Sequence, residues 1–167
     1  MNLFLRALEP EDVDVLYAVE NDVSHWKYSD RNQPYSKATL RNYIAHAHED
    51  IYTTGQLRFV LAAPGHPFIG MVDLYNFSAM HHRAGVGLLI LKHYRKQGFG
   101  VQAIALLEAY VKAHLQLHQL YACFSEDNLP SKKLFEKMGF QEAGVKKDWI
   151  FHSGGYHHVL FFQKNYE

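Results

Sequence analysis

Three different residue patterns follow one another in the middle of this chain. The first is an apolar run, Val86–Leu91, and the second is a basic loop with two glycines, Arg95–Gly100. In the third, apolar residues recur at spacings of three and four: Val101, Ile104, Leu107, Val111 and Leu115. Such spacing marks one face of a helix. The patterns therefore predict a buried strand that passes through a short loop into the N-terminus of a helix, as in an α/β fold.

The position of the loop Arg95–Gly100 at a helix start gives it a specific chemistry. Backbone N–H groups in the first turn of a helix have no partner within that helix, and the helix dipole favours negative charge there. Glycines also allow a large anion to approach the backbone closely. Two interpretations stand side by side: an anion-binding loop, and an ordinary strand-to-helix turn that contains glycine.

Composition sets the class of protein. A chain of 167 residues that is 48% hydrophobic fits one domain with its own core and argues against disorder. Lys+Arg and Asp+Glu both number 17, so the formal net charge is zero. General binding to nucleic acid or to an anionic membrane needs an excess of positive charge. We therefore expect neither partner.

Cysteine content and the N-terminal sequence favour a cytoplasmic location. Cys123 is the single cysteine, so no internal disulfide can form. Met1–Arg6 lacks the basic start and long apolar core of a signal peptide. No apolar run approaches the ~20 residues that a membrane-spanning helix needs. The sequence predicts a cytoplasmic protein without a membrane span.

Turn and capping signals divide the rest of the chain into further elements. Pro10–Asp12 suits the first turn of a helix, and Ser36 can cap a second helix. Pro64–Pro67 is a strong turn signal between two strands of a hairpin. Asn128 can cap a later helix that ends near Gly139. In chain order the predicted strands are 3–6, 58–63, 68–77, 84–91, 120–125 and two within 145–162 around Ser153–Gly155. The order is β-α-α-β-β-β-α-β-α-β-β.

A second motif follows the predicted strand 120–125. Residues Asn128–Phe140 read as N-x-x-S-x-x-L-F-x-K-x-G-F, and Arg95–Gly100 fits R/Q-x-x-G-x-G/A. In this order and context, the two motifs resemble those of the GNAT family of acetyl-CoA-dependent N-acetyltransferases, over nearly the whole chain. The resemblance implies a single N-acetyltransferase domain over residues 1–167. It also implies a mixed α/β (α+β) fold whose sheet is mostly antiparallel and splayed at the cofactor cleft.

The resemblance assigns acetyl-CoA to residues of both motifs. Backbone amides of the loop would hold its pyrophosphate, and the strand through Leu89–Leu91 would pair with its pantetheine arm, as a peptide adds to a sheet edge. Asn128 would reach the arm from the far side while it caps its helix. Lys96 and Lys132 are either phosphate contacts or plain solvated lysines. The predicted cofactor residues are Leu89, Ile90, Leu91, Arg95, Lys96, Gln97, Gly98, Phe99, Gly100, Asn128, Ser131, Lys132 and Phe135.

The implied reaction is direct attack of an amine on the acetyl thioester in a ternary complex. It needs a neutral amine, a donor for the developing oxyanion and a proton for the leaving thiolate. A backbone N–H of the Leu89–Leu91 strand is the expected oxyanion donor. Many family members have a tyrosine hydroxyl near the sulfur, but this chain has Phe135 there. Either the thiolate leaves with little help, or a hydroxyl of Tyr94, Tyr121 or Tyr156 protonates it.

Further matches point to one branch of the family, formed by the spermidine/diamine N-acetyltransferases and the enzymes that acetylate ribosomal-protein N-termini. The segments that carry this likeness are Arg6–Asp12, His82–Ala84, Leu117–Tyr121 and Gly154–Tyr156. They leave a small amine and a protein N-terminus as alternative acceptors.

Two departures weaken the polyamine interpretation. Asn32-Gln33 stands where the polyamine enzymes carry paired acids, and Gly85 stands where they tend to carry glutamate. Polycations need clustered carboxylates. Asp73 does match a family acid on the strand that faces the expected acceptor site. It is predicted either to accept the amine proton or bind a cationic acceptor, or to be an ordinary strand acid paired with a neighbour.

The 12 histidines invite a metal interpretation. The adjacent pairs His81-His82 and His157-His158 point to opposite faces of a strand, and no cysteine pair accompanies them. We therefore expect structural or surface histidines and no metal site, with His82 or His152 as candidate proton relays. Cys123 is expected to pack in the core, and a covalent acetyl-cysteine is the minor alternative because no His/Asp pattern supports it.

Three functions from different classes follow. The first is acetyl transfer from acetyl-CoA to the primary amine of a small molecule, with polyamines as one option and with Asp73, Tyr94 and Tyr156 as candidate catalytic residues. The second is a ribosomal-type protein N-terminal acetyltransferase, whose cleft would be controlled by the segment 26–35. The third is a CoA-binding module without activity, suggested by Phe135. A homodimer is expected because family relatives often self-associate.

Overall fold

A mixed sheet of seven strands organises the fold. The structure is a computed structural model that describes residues 1–167. Its strands are β1 Phe4–Arg6, β2 Leu57–Ala63, β3 His66–Ser78, β4 Arg83–Ile90, β5 Gln119–Ser125, β6 Gln141–His152 and β7 Gly155–Asn165. Their order in the sheet is β1-β2-β3-β4-β5-β7-β6. Only β4 and β5 pair in parallel, which confirms the predicted mostly antiparallel sheet.

Helices cover both faces of the sheet. They are α1 Val13–Glu20, α2 Lys37–His46, α3 Ile51–Thr54, α4 Phe99–Tyr110 and α5 Leu129–Lys137, with 3-10 turns at Pro10–Asp12, Val23–Tyr28 and Lys92–Tyr94. One core joins Leu16 of α1 and Leu40 of α2 to Met71 of β3. A second core joins Ile104 of α4 and Phe135 of α5 to strand residues on the other face. No helix of the structure combines the length and the apolar character needed to cross a membrane.

The predicted helix caps are present. The Ser36 side chain accepts a hydrogen bond from Thr39 N at 3.0 Å, at the start of α2. The Asn128 side chain accepts one from Ser131 N at 3.3 Å, at the start of α5. Gly139 follows α5 with φ +83°, a left-handed conformation that suits glycine after a helix. The two side chains therefore fix the starts of α2 and α5, and Gly139 fixes the end of α5, as expected.

Some boundaries differ from the sequence prediction for physical reasons. α4 begins at Phe99 rather than Val101, because Gly98 takes the N-cap position with φ +81°. Its last turn, Val111–Leu115, widens into a π-helix. The turn α3 was not predicted, since its single helical turn is too short for periodicity to show. β6 and β7 extend beyond 145–162 because their outer residues are polar and carry little strand signal.

Candidate active site

β4 and β5 run side by side for only a short distance. Their parallel pairing is limited to Arg83–Gln119, Ala84–Leu120 and Gly85–Tyr121, after which the strands separate. β4 continues to Ile90, so residues 86–90 have no partner strand on this side. The resulting gap, here called the β4/β5 gap, presents a free sheet edge to an extended ligand. This geometry confirms the predicted splay.

Alternate residues of β4 direct their backbone groups into the β4/β5 gap. Leu91 N donates to Ile69 O of β3 at 3.0 Å, and β4 otherwise pairs regularly with β3 over 85–90. Neighbouring residues of a strand turn their N–H and C=O groups to opposite sides. Ile90 and Leu88 therefore face the gap, while Leu89 and Leu91 face β3. Of the three predicted pantetheine-pairing residues, only Ile90 is oriented for that role, and Leu88 joins it.

The N-terminus of α4 opens at the wide end of the β4/β5 gap. The first hydrogen bond of the helix runs from Gln102 N to Gly98 O at 3.3 Å, and Gly98 supplies no side-chain cap. The amides of Phe99, Gly100 and Val101 therefore have no partner. Unpaired amides at a helix start form an anion site. This feature fits a pyrophosphate and favours the anion-binding interpretation over the ordinary turn.

The conformation of the loop depends on two residues in the left-handed region. Lys96 has φ +60° and Gly98 has φ +81°. Gly100 has a different purpose: a β-carbon at this position would lie 3.4 Å from side-chain atoms of Leu88 and Leu134. The absence of a side chain therefore lets α4 pack closely against β4 and α5.

Two side chains of the loop bind the protein itself. Arg95 Nε donates to Ile90 O at 2.9 Å, and Arg95 Nη2 lies 3.1 Å from His25 Nε2. Gln97 Nε2 donates to His93 O at 2.9 Å, and Arg95 N donates to Lys92 O at 3.3 Å. The free amides of the loop therefore begin after Arg95. The side chains of residues 95 and 97 therefore shape the loop, while the backbone amides after them are left without a partner.

The second predicted cofactor motif lies at the other border of the gap. Asn128 caps α5 through Ser131 N, and Lys132 N donates to Asn128 O at 3.1 Å. Phe135 is buried between two other phenylalanines. Its ring stacks on that of Phe124 with the centroids 5.7 Å apart, and it meets the ring of Phe140 edge-on at 5.0 Å. The cofactor contacts of Asn128, Ser131, Lys132 and Phe135 stay predictions.

An ion-pair network covers the sheet face beneath α1 and α2. Arg58 donates to both oxygens of Asp73, with Nε–Oδ1 2.7 Å and Nη2–Oδ2 2.8 Å. Glu20 of α1 accepts from Arg58 at 3.1 Å and from Arg31 at 2.8 Å. Burial disfavours the charged form of Arg58, but the hydrogen bonds and charge of Asp73 outweigh it and raise the pKa of Arg58. Two acids and two arginines thus balance each other.

This network borders a small cavity of about 190 Å³. The cavity is lined by Arg58 and Asp73 together with Tyr43 and Tyr75. Both oxygens of Asp73 are bound to Arg58, so a substrate ammonium would compete with a guanidinium for them. Asp73 is therefore paired with a neighbouring residue, which was one of the two alternatives that the sequence left open. Its catalytic role stays a prediction.

Tyr75 closes the narrow end of the β4/β5 gap. A β-carbon at Gly85 would lie 2.4 Å from the ring of Tyr75, so only glycine fits beneath this ring. The Tyr75 ring meets Tyr121 edge-on at 6.0 Å, and its hydroxyl contacts Cys123 of β5. Burial, reinforced by the neighbouring Cys123, raises the pKa of Tyr75. The sequence analysis did not predict this position of Tyr75. The glycine at position 85 was the one sequence signal that a large side chain lies against the strand there.

Comparison with known proteins gives the family. A profile described as an acetyltransferase (GNAT) domain matches residues 2–141, most of the chain. The chain belongs to the GNAT acetyltransferase family. GNAT acetyltransferases use acetyl-CoA, which makes acetyl-CoA the cofactor and confirms the predicted N-acetyltransferase class.

Relatives of this GNAT acetyltransferase match it along most of their length. It is 27% identical to a spermidine N(1)-acetyltransferase of Escherichia coli K12, over 97% of this chain and 87% of that protein. It is 25% identical to Bacillus subtilis YdaF, provisionally named a ribosomal N-acetyltransferase, over 96% of this chain and 90% of YdaF. The crystal structure of a Vibrio cholerae spermidine N-acetyltransferase with CoA and spermine superposes with a TM-score of 0.88 at 26% identity. The match covers 98% of this chain and 95% of that protein.

The candidate tyrosines of this GNAT acetyltransferase lie in different places. Tyr94 OH is 2.9 Å from His66 Nδ1, with its ring against Phe99 of α4. Tyr156 is 68% exposed at the start of β7. Tyr121 lies beside Tyr75 in the gap region. The structure therefore does not bring Asp73, Tyr94 and Tyr156 together, and their catalytic roles stay predictions.

Cys123 and His82 offer little chemistry to this GNAT acetyltransferase. Burial raises the pKa of the Cys123 thiol, which disfavours the thiolate that a covalent acetyl-cysteine requires. His82 is exposed in the β3–β4 connection, where its carbonyl accepts from His118 N at 2.7 Å. The buried position of the thiol therefore argues against a covalent acetyl-cysteine.

Proposed function

We propose that this enzyme transfers an acetyl group from acetyl-CoA to the primary amine of a small molecule by direct attack. The observation that supports this most is the β4/β5 gap, which has free amides at the α4 end and Tyr75 at the other. Acetyl-CoA supplies the acetyl group as an activated thioester. The amides of Phe99, Gly100 and Val101 hold its pyrophosphate, and Leu88 and Ile90 offer backbone groups to its pantetheine arm.

The acceptor enters over the face that carries the ion-pair network. Glu20 and Asp73 are both bound to arginines, so few carboxylates are free for the charges of a polycation. Polyamines are nonetheless a named substrate of relatives at 26–27% identity. We infer a primary amine as the acceptor and rank polyamines as the first compounds to test.

Stabilisation of the oxyanion comes from the chain itself. The N–H groups of Leu88 and Ile90 face the gap, and preorganised backbone donors are well suited to a developing negative charge. Phe135 has no proton to give. The leaving thiolate either takes a proton from a hydroxyl near the gap, where Tyr121 lies beside Tyr75, or departs without an acid.

A protein N-terminus is the second candidate acceptor, favoured by the 25% identity to YdaF. A peptide needs an open cleft, yet the segment that controls the cleft is tied down. Trp26 Nε1 donates to Glu20 O at 3.0 Å, and Arg31 binds Glu20 Oε2 at 2.8 Å. This attachment favours a small acceptor over a peptide.

Thiol release from acetyl-CoA, measured against a panel of acceptors, tests the proposal. The panel contains spermidine, a monoamine series, and peptides that copy protein N-termini with either a free or a blocked α-amine. Turnover with the free amines alone supports the proposal. Turnover with the free N-terminal peptides alone replaces it by the second candidate. Tight CoA binding by calorimetry with no turnover on the whole panel supports a CoA-binding module instead.

Self-association is part of the same proposal. The β6–β7 hairpin exposes Trp149, Phe151 and Tyr156 at 63%, 64% and 68%. Clustered exposed aromatic side chains favour burial against another surface. We expect a homodimer through this hairpin, and sedimentation velocity should show a Trp149→Ser, Phe151→Ser variant shifted to monomer. A wild-type monomer at micromolar concentration would contradict this expectation.

A further inference from the structure

Two side chains from the β6–β7 hairpin and one from the end of β5 meet beside the α5 N-terminus. Asp127 follows β5, His152 ends β6 and His157 lies in β7. Their ligand-type atoms all lie within 4.8 Å of one another. The β6–β7 hairpin brings the two histidines together, and it folds over Asp127. Sequence spacing could not reveal this group, because the pairing of β6 with β7 creates it.

His152 carries a buried ring nitrogen without a partner. Its side chain is 8% exposed, and its Nε2 makes no hydrogen bond. This atom lies 3.5 Å from Asp127 Oδ2. Its other nitrogen, Nδ1, is 3.2 Å from Ser153 Oγ, and Tyr28 meets the ring edge-on at 5.8 Å. Buried polar atoms are nearly always bound to something, so Nε2 points to a missing partner.

The distance between these two atoms suits a shared metal ion. Two ligands about 2.1 Å from a tetrahedral zinc ion are themselves about 3.4 Å apart. The 3.5 Å separation of His152 Nε2 and Asp127 Oδ2 is close to that value. It is also too long for a good hydrogen bond, as the lack of one at Nε2 shows.

Asp127 is prepared to act as an anionic ligand. Ser125 Oγ donates to its Oδ1, which leaves Oδ2 toward the histidines. The orientation of the carboxylate is therefore fixed by a second residue, as that of metal ligands usually is.

His157 completes the group after a change of ring orientation. Its ring is stacked on His152, with centroids 3.8 Å apart and planes 1° from parallel. Parallel rings cannot both direct a lone pair at one point between them, so one ring must turn. The side chain of His157 is 26% exposed and its Nδ1 is 4.0 Å from Asp127 Oδ2. A rotation about its side-chain bonds, which would give up the 3.3 Å contact of His157 Nε2 with His152 O, would be needed to bring Nδ1 to the ion.

We propose that Asp127, His152 and His157 form a binding site for one divalent transition-metal ion, with zinc as the best match. Two imidazoles and one carboxylate are a ligand set that zinc accepts, and the fourth position is left to water. The ion would tie the β6–β7 hairpin to the start of α5, next to Asn128. This inference is independent of the proposed function, and it opposes the expectation that the histidines are only structural.

Metal binding by the untagged full-length protein, freed of metal with a chelator, tests this site. Cobalt(II) should give the strong visible absorption of a tetrahedral complex at one ion per chain, and zinc should displace it. Asp127→Asn and His157→Gln should each weaken zinc binding at least about tenfold, since losing a residue that merely orients a ligand already costs about that much. His152→Gln is a third variant, but its buried ring makes Asp127→Asn the safer first choice.

Matched controls separate this site from the other histidines. His48→Gln and His114→Gln remove exposed imidazoles elsewhere and should leave zinc affinity unchanged. Zinc should also raise the thermal midpoint of the wild type and of both controls, but not that of Asp127→Asn. Two results would overturn the proposal: no stoichiometric cobalt or zinc binding by the wild type, or affinities in the Asp127 and His157 variants equal to the wild-type value.

Discussion

The two halves of the cleft are built from different kinds of atoms. The proposed donor half consists of the β4 edge and the start of α4, and it presents backbone amides of Leu88, Ile90 and residues 99–101. The proposed acceptor half consists of five side chains from separate segments of the chain, two of them on β3: Glu20, Arg31, Arg58, Asp73 and Tyr75. A backbone site depends on glycine positions and element order. A side-chain site depends on which residues the fold brings together, and it can change with any of them.

The largest expected effect is in the donor half. Gly98→Val places a β-branched residue at φ +81° and should distort the loop, because L residues avoid this region. Losing one charge-assisted hydrogen bond, worth about 1.5–3 kcal/mol, should raise the Kd for CoA about 10- to 100-fold. Isothermal titration with CoA measures this change.

Gly65→Val is the matched control for this variant. Gly65 also has a positive φ, +77°, and open space around it, but it lies in the β2–β3 turn. It should lose similar stability in urea unfolding while its Kd for CoA stays within twofold of the wild type. Equal Kd values for CoA in the two valine variants would contradict the placement of the CoA site at the loop that contains Gly98.

The next effect belongs to the acceptor half. Asp73→Asn removes the two-point carboxylate partner of Arg58, leaves Glu20 as its one remaining acidic partner, and places an excess positive charge beside the amine. We expect kcat/KM for the amine to fall about tenfold, which corresponds to about 1.4 kcal/mol, while the KM for acetyl-CoA is unchanged. Steady-state kinetics with each substrate varied in turn measures the split.

Asp12→Asn supplies the comparison for this pair. Asp12 is bound by Arg6 at 2.8 Å through both oxygens, beside the edge strand β1. It should destabilise the fold without changing amine kinetics. If Asp73→Asn instead raised the KM for acetyl-CoA and spared the amine, the assignment of this network to the acceptor would be wrong.

A third effect concerns the boundary of the two halves, where Tyr75 covers Gly85. Gly85→Ala should destabilise the protein by about 1–3 kcal/mol, because the added carbon would meet the tyrosine ring at 2.4 Å. Gly87→Ala is the control, since its β-carbon would lie at an ordinary 3.6 Å from Asp73. Urea denaturation should show a larger loss in the free energy of unfolding for Gly85→Ala than for Gly87→Ala. Adding Tyr75→Leu should recover most of the loss at 85, and a lack of recovery would argue against the contact.

The smallest expected effect is at Phe135. The ring is packed between Phe124 and Phe140, so a hydroxyl added by Phe135→Tyr enters an apolar core. We expect less than a threefold change in kcat, well below the roughly 100-fold that a positioned general acid provides. Phe140→Tyr serves as the control for added polarity. A gain of tenfold or more in Phe135→Tyr alone would show that the missing hydroxyl limits the reaction.

The contrast between the halves also explains what the sequence could predict. The loop and the caps Ser36 and Asn128 were predictable because local spacing and glycine geometry carry them, whereas the splay was implied by the family resemblance. The register of β3 on β4 was not, and so the orientation of Ile90 rather than Leu89 toward the gap came only from the structure. Family resemblance gave the cofactor.

Long-range side-chain groups were not predictable. The pairing of Arg58 with Asp73 requires the β2–β3 register, and Glu20 reaches both arginines only because α1 packs on this face. Gly85 was noticed as a departure, but its reason, the Tyr75 ring, lies on another strand. Asp127 and His157 meet through the β6–β7 hairpin, whose turn was predicted but whose register was not.

Amide hydrogen exchange by NMR, with and without CoA, tests the central claim most directly. In the free enzyme, the amides of Leu88, Ile90 and residues 99–101 are unpaired, while Leu89 and Leu91 are bound to β3. We predict that CoA slows exchange at the first group and leaves Leu89 and Leu91, already protected, nearly unchanged. Saturating CoA that leaves the exchange of Ile90 and Gly100 unaltered would contradict the placement of the donor in the β4/β5 gap.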